Sequence, residues 1–496
     1  MSPRASALVC GLLLALAAGP AAAAEPPRLV VAVVVDQMTA GELQRLAPKF
    51  QGALRSLLDE GAVFAEAHHR HVPTQTAVGH AAIMTGRPPS VHGITANQWF
   101  DRGRGRRVSA HEDSLHGIGP EGLLSYTLGD SLKARRPGSI VLAASLKERA
   151  AVMMGGKKAD LALWLDEDAG AFATSSYYGA APAWLAPFNE SLRAPGGELA
   201  KVKTRLDMER FWQSAGAHAI LDDLARRLLE EYPLGKDADP DLLALSFSGT
   251  DDVGHRHGPD SKEIDENLLA LDAVLGRLLT AVFRRVPKDE VLVLLTSDHG
   301  VMPVPESRSG KALGLHRVDP VKFEEKVENA LQLVYPAPGG RLVKHLWLPH
   351  LYLDRSLADS RGFDWPVFLR DAARSIAALE GVAEVYTAER LSASEEVQLS
   401  SSPYAAVYRA SYHPARSGDL LIRTKEDFLF SRDGTTHSTP YPSDTHVPLV
   451  FWGHGIKAGS FSTPVRVMDA APTLAVLLGV KLPPYQGGRV LAEALK

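Results

Sequence analysis

Cysteine is almost absent. The only one, Cys10, lies in the first ten residues of a 496-residue chain. A disulfide scaffold, a thiolate-ligated zinc site and an iron–sulfur cluster are therefore excluded. An excess of either charge is also missing: 54 Lys and Arg against 58 Asp and Glu leave a formal net charge of −4. Chains that bind nucleic acid are usually clearly basic, so no nucleic-acid polymer is expected as a partner. Beyond the N-terminus, no segment reaches the ~20 apolar residues that a membrane span requires. Hydrophobic residues make up 45% and charged residues 23%, which excludes disorder, collagen and coiled coil as the main organisation. The length suggests two or three domains, or one large core with insertions.

The first 24 residues have the pattern of a secretory leader. Arg4 supplies the positive start, residues 5–18 are apolar, and Ala22, Ala23 and Ala24 offer small residues for cleavage. Cleavage there would remove Cys10. Cys10 precedes most of the apolar run, which speaks against a lipid anchor at the cleavage point. The expected mature chain is monomeric, free of cysteine, and periplasmic or secreted; the alternative is an uncleaved anchor.

Three apolar runs read as buried parallel strands: residues 29–35 (LVVAVVV), 242–247 (LLALSF) and 291–296 (VLVLLT). None alternates with polar residues, as expected when helices cover both faces of a sheet. Helical periodicity lies between them, at residues 40–60, 217–231 and 262–285. This alternation implies an α/β, doubly wound and mostly parallel sheet. A last helix over residues 470–479 has Asp469 as its N-cap, Pro472 in its first turn and Gly479 at its end. Residues 150–215 and 305–430 fit the parallel pattern poorly. The second stretch reads as an inserted α+β subdomain that caps the site, leaving residues 25–304 and 431–496 as the core. The basic run at residues 102–107 reads as a solvated turn, because glycines separate its charges and nothing aromatic interleaves.

Ligands of a parallel sheet gather beyond the carboxyl ends of its strands. Asp36, Asp251 and Asp298 all fall at or just past such ends. Any one alone reads as a helix cap or turn residue. Together with His255, four residues after Asp251, with His299 beside Asp298, and with His446 in DTHVPLVFWG, they read as a metal site. Carboxylate with neutral imidazole suits Zn²⁺, and six such residues exceed what one tetrahedral ion needs. Thr76, in PTQTAVGH, stands where a helix begins. A hydroxyl there lies in a positive field near free N–H groups, although local physics alone reads Thr76 as an N-cap.

The motifs TAVGHA, TDDVGHRHGP, SDHG, DTHVPLVFWG and VMDAAPTLAVLLG, in that order, resemble the alkaline phosphatase superfamily. They are most similar to its threonine-nucleophile, phosphate-irrepressible alkaline phosphatases and to the nucleotide pyrophosphatase/phosphodiesterase relatives. The resemblance implies an exported phosphomonoesterase with two zinc ions and a phosphothreonine intermediate on Thr76. It assigns Asp251, His255 and His446 to one zinc, and Asp36, Asp298, His299 and the Thr76 oxygen to the other. It also makes Asn97, in HGITANQWFDR, a phosphate ligand, and Lys147 and Arg149, in SLKERAAVMMGG, the cations that favour a monoester. Read without the family, Lys147 and Arg149 are a solvated helix start. A monoester carries two negative charges and a diester one, so two extra cations favour the monoester. The alternative is a phosphodiesterase or nucleotide pyrophosphatase with the same nucleophile and zinc pair; a non-catalytic binding protein would require a missing ligand. Either way the partners are small phosphate esters. His68, His69, His71 and His80 read as structural, and His257, His316 and His437 as rim or outer residues. The Cys-x-Pro-x-Arg signature of sulfatases is absent.

Overall fold

The computed structural model describes residues 25–392, 402–483 and 487–496. The leader expected at residues 1–24 lies outside them.

The strands of the main sheet are β1 (Leu29–Val35), β2 (Ala62–Phe64), β3 (Val141–Ser145), β4 (Leu161–Asp166), β5 (Ala171–Ala173), β6 (Asp241–Phe247), β7 (Val291–Thr296), β8 (Leu449–Gly453) and β9 (Gly459–Phe461). They are ordered β5-β4-β3-β6-β1-β7-β8-β2-β9. The central run β4-β3-β6-β1-β7 is parallel throughout, while β8 is antiparallel to both β7 and β2. All seven residues of β1 are buried. Leu29, Val31, Val33 and Val35 enter the core on one face, and Val30, Ala32 and Val34 the core on the other. Helices cover both faces, which is why LVVAVVV shows no alternation. The doubly wound α/β sheet expected from the sequence is present.

The flanking helices include α1 (Ala40–Leu46), α2 (Ala53–Glu60), α3 (Thr76–Thr85), α4 (Glu148–Gly155), α5 (Gly216–Glu231), α6 (Gly249–His257) and α7 (Lys262–Phe283). The single helix expected over residues 40–60 is two helices. A 3₁₀ turn containing Pro48 separates them, and the Asp272 carboxylate of α7 accepts the N–H groups of Gln51, Gly52 and Leu54 at 2.7–2.8 Å. A Cβ on Gly52 would stand 2.3 Å from the Asp272 carbonyl oxygen, so glycine is needed where the chain turns against α7. The C-terminal helix runs Ala470–Leu477, and Asp469 gives it no side-chain cap. The Asp469 carboxylate instead accepts from the N–H groups of Arg466 and Arg489. Within the stretch that seemed to fit poorly, LALWLD (β4) is an ordinary parallel strand paired with β3; the Ala-, Gly- and Tyr-rich flanks obscured it. The basic run at residues 102–107 is exposed, and Arg104 and Arg106 pair with Glu112.

Residues 305–430 carry a separate antiparallel sheet of four strands: Val343–Trp347, His350–Leu353, Leu420–Thr424 and Val382–Thr387, in that order. Phe323 and Phe368, from the helices Pro320–Val334 and Trp365–Ala377, centre its own apolar core.

The register of the central strands decides where loops emerge. Val35 pairs with Phe247, and Val34 with Thr296. The segments that follow β1, β6 and β7 therefore leave the sheet side by side. Because β8 is antiparallel and Leu449 pairs with Thr296, the chain preceding β8 reaches the same edge. Helix α3 closes onto this edge through Gly79, where a Cβ would lie 2.2 Å from the Asp298 carbonyl oxygen. Gly79→Ala is expected to destabilise the protein by about 1–3 kcal/mol, as overpacking of a closed contact does. The check is the urea midpoint at unchanged slope; an unshifted midpoint would show that α3 can retreat without cost.

Candidate functional site

Asp36 is fully buried at the end of β1. The next residue, Gln37, has φ 67°, a left-handed conformation that a side-chain-bearing residue seldom adopts without compensation. The compensation is visible: Gln37 N donates to Asp298 Oδ1 at 3.1 Å and Gln37 Nε2 to Asp251 Oδ1 at 2.6 Å. One residue thus ties the three strand ends together. Thr250 Oγ1 donates to the Asp36 carbonyl.

After β6 the chain enters α6 at once. Asp251 lies in its first turn and His255 one turn later, so both point the same way, with His255 Nε2 3.2 Å from Asp251 Oδ1. After β7, Asp298 and His299 are both fully buried. They need a bend to face one site, because neighbours on a strand point to opposite faces. The bend is there: His299 N donates to Asp298 Oδ1 at 3.1 Å, and Gly300 N is held by the Asp444 carbonyl.

Three imidazoles are oriented alike. His255 Nδ1 donates to Thr435 O at 2.8 Å, His299 Nδ1 to Gly300 O at 3.1 Å, and His437 Nδ1 to Thr74 O at 2.5 Å. With Nδ1 committed in each ring, Nε2 is the atom turned toward the cluster, as in metal-ligating histidines; that of His255 faces Asp251 Oδ1. The His299 and His437 rings stack at 3.7 Å, and His437 lies 5.0 Å from His255. Ligand atoms from Asp251, His255 and His437 lie within 4.8 Å of one another, as do those of Asp36, Asp251 and His299. His299 Nε2 is 3.5 Å from Asp298 Oδ2, which joins Asp298 to the second group.

His446 is not in this cluster, and here the sequence expectation is corrected. Its Nε2 donates to Ala65 O at 2.7 Å, and its ring stacks on His68. His437, expected only as a rim or outer residue, occupies the position instead. Both precede β8, and no local spacing separates them; the path of residues 437–446 decides which reaches Asp251. His257 pairs with Glu263 at 4.0 Å, and His316 lies against Phe428, both outside the cluster. His80 is structural as expected, with Nδ1 on Thr76 O, Nε2 on Ser246 Oγ, and Asp298 Oδ2 at 3.3 Å. Buried His69 holds the Ser297 carbonyl through Nε2.

Lys147 ends the segment after β3. It is 7% exposed, and its Nζ bridges Asp36 Oδ2, at 2.7 Å, and Asp251 Oδ2. This ammonium sits where a cation between the two carboxylates would sit. Burial opposes its charge, yet Asp251 and Asp36 hold its pKa above the usual lysine range. Burial works equally against Asp251, but Lys147 and His255 hold it well below the carboxylate range. Asp36 is raised, by burial and by Asp298. His255, against its burial, is lifted to about 9 by Asp251, whereas burial and His299 push His437 well down.

A divalent ion fits what the residues offer. Among the described residues, Asp36 Oδ1, Asp298 Oδ2 and His299 Nε2 are buried with no hydrogen-bond partner. Such atoms cost several kcal/mol when carboxylates are left uncompensated, and all three face the same centre.

Thr76 is the first residue of α3 and is 2% exposed; the cap position belongs to Gln75, so the N-cap reading of Thr76 is set aside. Asn97 is laced to this turn: Ala77 N donates to Asn97 Oδ1 and Asn97 N to Gln75 Oε1, both at 2.8 Å. With Oδ1 committed, the Asn97 amide offers its Nδ2 donors. Arg149, on α4, pairs with Glu148 at 3.6 Å and lines, with Lys147, Asp251 and Asp252, a cavity of about 830 Å³. Trp212 and Met208 supply apolar wall, and Arg193, Lys203 and Glu209 charged rim.

The sequence profile of the type I phosphodiesterase / nucleotide pyrophosphatase family matches residues 30–448. Alkaline phosphatase PafA of Elizabethkingia meningoseptica is 30% identical over 528 aligned residues, covering 95% of this chain and 94% of the relative. Alkaline phosphatase PhoK of a Sphingomonas species is 31% identical, covering 95% and 91%. The crystal structure of wild-type PafA superposes with a TM-score of 0.85 at 27% identity, over 95% of this chain and 99% of that one.

His437→Ala is expected to lower bound metal by one equivalent. Loss of a mere outer partner weakens metal binding 10–100-fold, and loss of a ligand should weaken it by at least about 100-fold. His257→Ala should leave the content unchanged. Elemental analysis of dialysed protein decides it; equal content in both variants would return His437 to the rim.

Proposed function

The chain belongs to the type I phosphodiesterase / nucleotide pyrophosphatase family, within the alkaline phosphatase superfamily, and from that premise we propose that it hydrolyses phosphate monoesters through a phosphothreonine on Thr76, with a pair of zinc ions. Close relatives along nearly the whole chain are alkaline phosphatases, and phosphoric monoester hydrolysis is this enzyme's activity. The observation that carries the reading is the cluster of three buried acids and three co-oriented imidazoles at the strand ends, closed by the helix that starts at Thr76.

Asp251, His255 and His437 would hold one zinc. Asp36, Asp298, His299 and the Thr76 oxygen would hold the other. Imidazole with carboxylate suits zinc over magnesium. Bound zinc supplies Lewis acidity, which lowers the pKa of a hydroxyl and neutralises a departing oxygen. Thr76 Oγ forms the bond to phosphorus as the bond to the alcohol breaks, and water then cleaves the phosphothreonine. The N–H groups of Thr76 and Val78 at the start of α3 would face the phosphoryl group, Ala77 N being committed to Asn97 Oδ1 and Gly79 N to Gln75 O. Asn97 Nδ2 and Arg149 donate to its non-bridging oxygens, where charge spreads in a loose transition state. Lys147, whose Nζ contacts Asp36 and Asp251, would add a third donor and the second cation were metal ions to take those carboxylate oxygens. The cavity beside Arg149 takes the alcohol.

Residues 305–430 serve as a cap in this reading. Support comes from the junction with the core, which Arg317 and His350 bridge: Arg317 donates to Gly434 O, and His350 Nε2 to Thr95 O. The leader-like residues 1–24 support action outside the cytoplasm.

Thr76→Ala should lower monoesterase kcat by several orders of magnitude, while Thr76→Ser, which keeps the hydroxyl, should retain substantial activity. Mass spectrometry should find phosphate on residue 76; phosphate trapped elsewhere would refute the assignment.

Arg149→Ala should reduce kcat/KM for a monoester roughly 10²-fold, the usual cost of one preorganised donor. A diester with the same leaving group should suffer much less, because one of its oxygens is already esterified. Arg149 is a cleaner probe than Lys147, whose removal also leaves Asp36 and Asp251 less compensated. Equal losses on both substrates would put the effect in folding or metal placement; no loss on either would favour the phosphodiesterase reading.

A further inference from the structure

Two histidine motifs are left unused by the catalytic cluster: the run at residues 68–71, and His446. They meet. His68 and His446 form an antiparallel bridge, and their rings stack at 4.6 Å with 15° between planes. His446 Nε2 donates to the Ala65 carbonyl, so the lone pair of its neutral ring is on Nδ1. His68 Nδ1 lies 3.3 Å from Thr445 Oγ1, and His68 Nε2 is 3.5 Å from Glu66 Oε2. One ligand atom from each of Glu66, His68 and His446 falls within 4.8 Å of the other two.

We propose that Glu66, His68 and His446 form a further divalent-metal site, separate from the strand-end cluster, that takes a first-row transition ion such as Zn²⁺. Two imidazoles and a carboxylate are a donor set that zinc accepts and that magnesium and calcium do not favour. In a tetrahedral site, ligand atoms ~2.0–2.1 Å from the ion stand roughly 3.3 Å apart, so the three must close slightly. The Glu66 side chain, 48% exposed, has the freedom to do so and leaves a fourth position open to water.

The site has a structural consequence. His69 N donates to Thr445 O, His446 O accepts from Ala40 N, and His69 Nε2 holds the Ser297 carbonyl, one residue before Asp298. An ion joining residues 66 and 68 to 446 would clamp the segments that back the strand-end cluster. It would act on stability, without touching the reacting phosphate.

Zn²⁺ is titrated calorimetrically into zinc-loaded holoenzyme, for the wild type, Glu66→Gln and His68→Gln, with elemental analysis after dialysis. The wild type should bind one more equivalent than His68→Gln, and Glu66→Gln should bind it at least 10-fold more weakly. Tm should rise saturably with added Zn²⁺ in the wild type and stay flat in His68→Gln, while turnover at saturating substrate stays within twofold in both. The difference between proteins carries the test, whatever the strand-end cluster holds. Equal stoichiometry and affinity in all three proteins would overturn the proposal. Should His68→Gln fold poorly by circular dichroism, the exposed Glu66→Gln decides alone, and unchanged affinity there overturns it.

Discussion

Three carboxylates are forced into one buried space, and the rest of the site follows from keeping them there. Asp36 and Asp298 have no exposed surface and Asp251 has little. Burying an ion costs several kcal/mol even after relaxation, and it is tolerated only with partners. Lys147 and His255 supply two positive charges within the protein. Orphaned oxygens on Asp36 and Asp298 remain, as does the His299 Nε2 between them. The arrangement leaves acceptor atoms at its centre without a partner, which a bound cation would satisfy.

The backbone pays part of the cost. Gln37 sits at positive φ so that its N–H and its amide can both reach carboxylates from other strands. Gly79 gives up a side chain so that α3 can press on the Asp298 backbone. Three histidines commit Nδ1 to carbonyls, which fixes the orientation of each ring and turns Nε2 toward the cluster. These are preorganising features: each removes a freedom that binding would otherwise have to quench.

Lys147 stands where the acidic cluster meets the cavity. Lying between Asp36 and Asp251, it is held charged. It also lines, with Arg149, the cavity beside the cluster. On the proposed function, one side chain would serve both charge compensation and recognition of a phosphate dianion.

Much of this was legible in the chain itself. Seven consecutive apolar residues before Asp36 require a strand buried on both faces, and strand ends of a parallel sheet gather ligands whatever the loops do. The four-residue spacing of Asp251 and His255 is helical and needs no further information. Asp36, Asp298 and His299 were legible for the same reason: each is attached directly to a strand whose register is set by hydrophobic burial. His437 was not, because it sits in a stretch without periodicity, nine residues before His446, and both histidines are polar residues on the way into β8. Nor could spacing show that Gln75, rather than Thr76, caps α3, or that residues 40–60 break where Asp272 collects three N–H groups. Residue types and short-range periods determine what is attached to a strand or a helix. Which of two loop histidines turns inward depends on contacts more than a hundred residues apart, Thr74 with His437 and Ala65 with His446, and only the folded chain makes those.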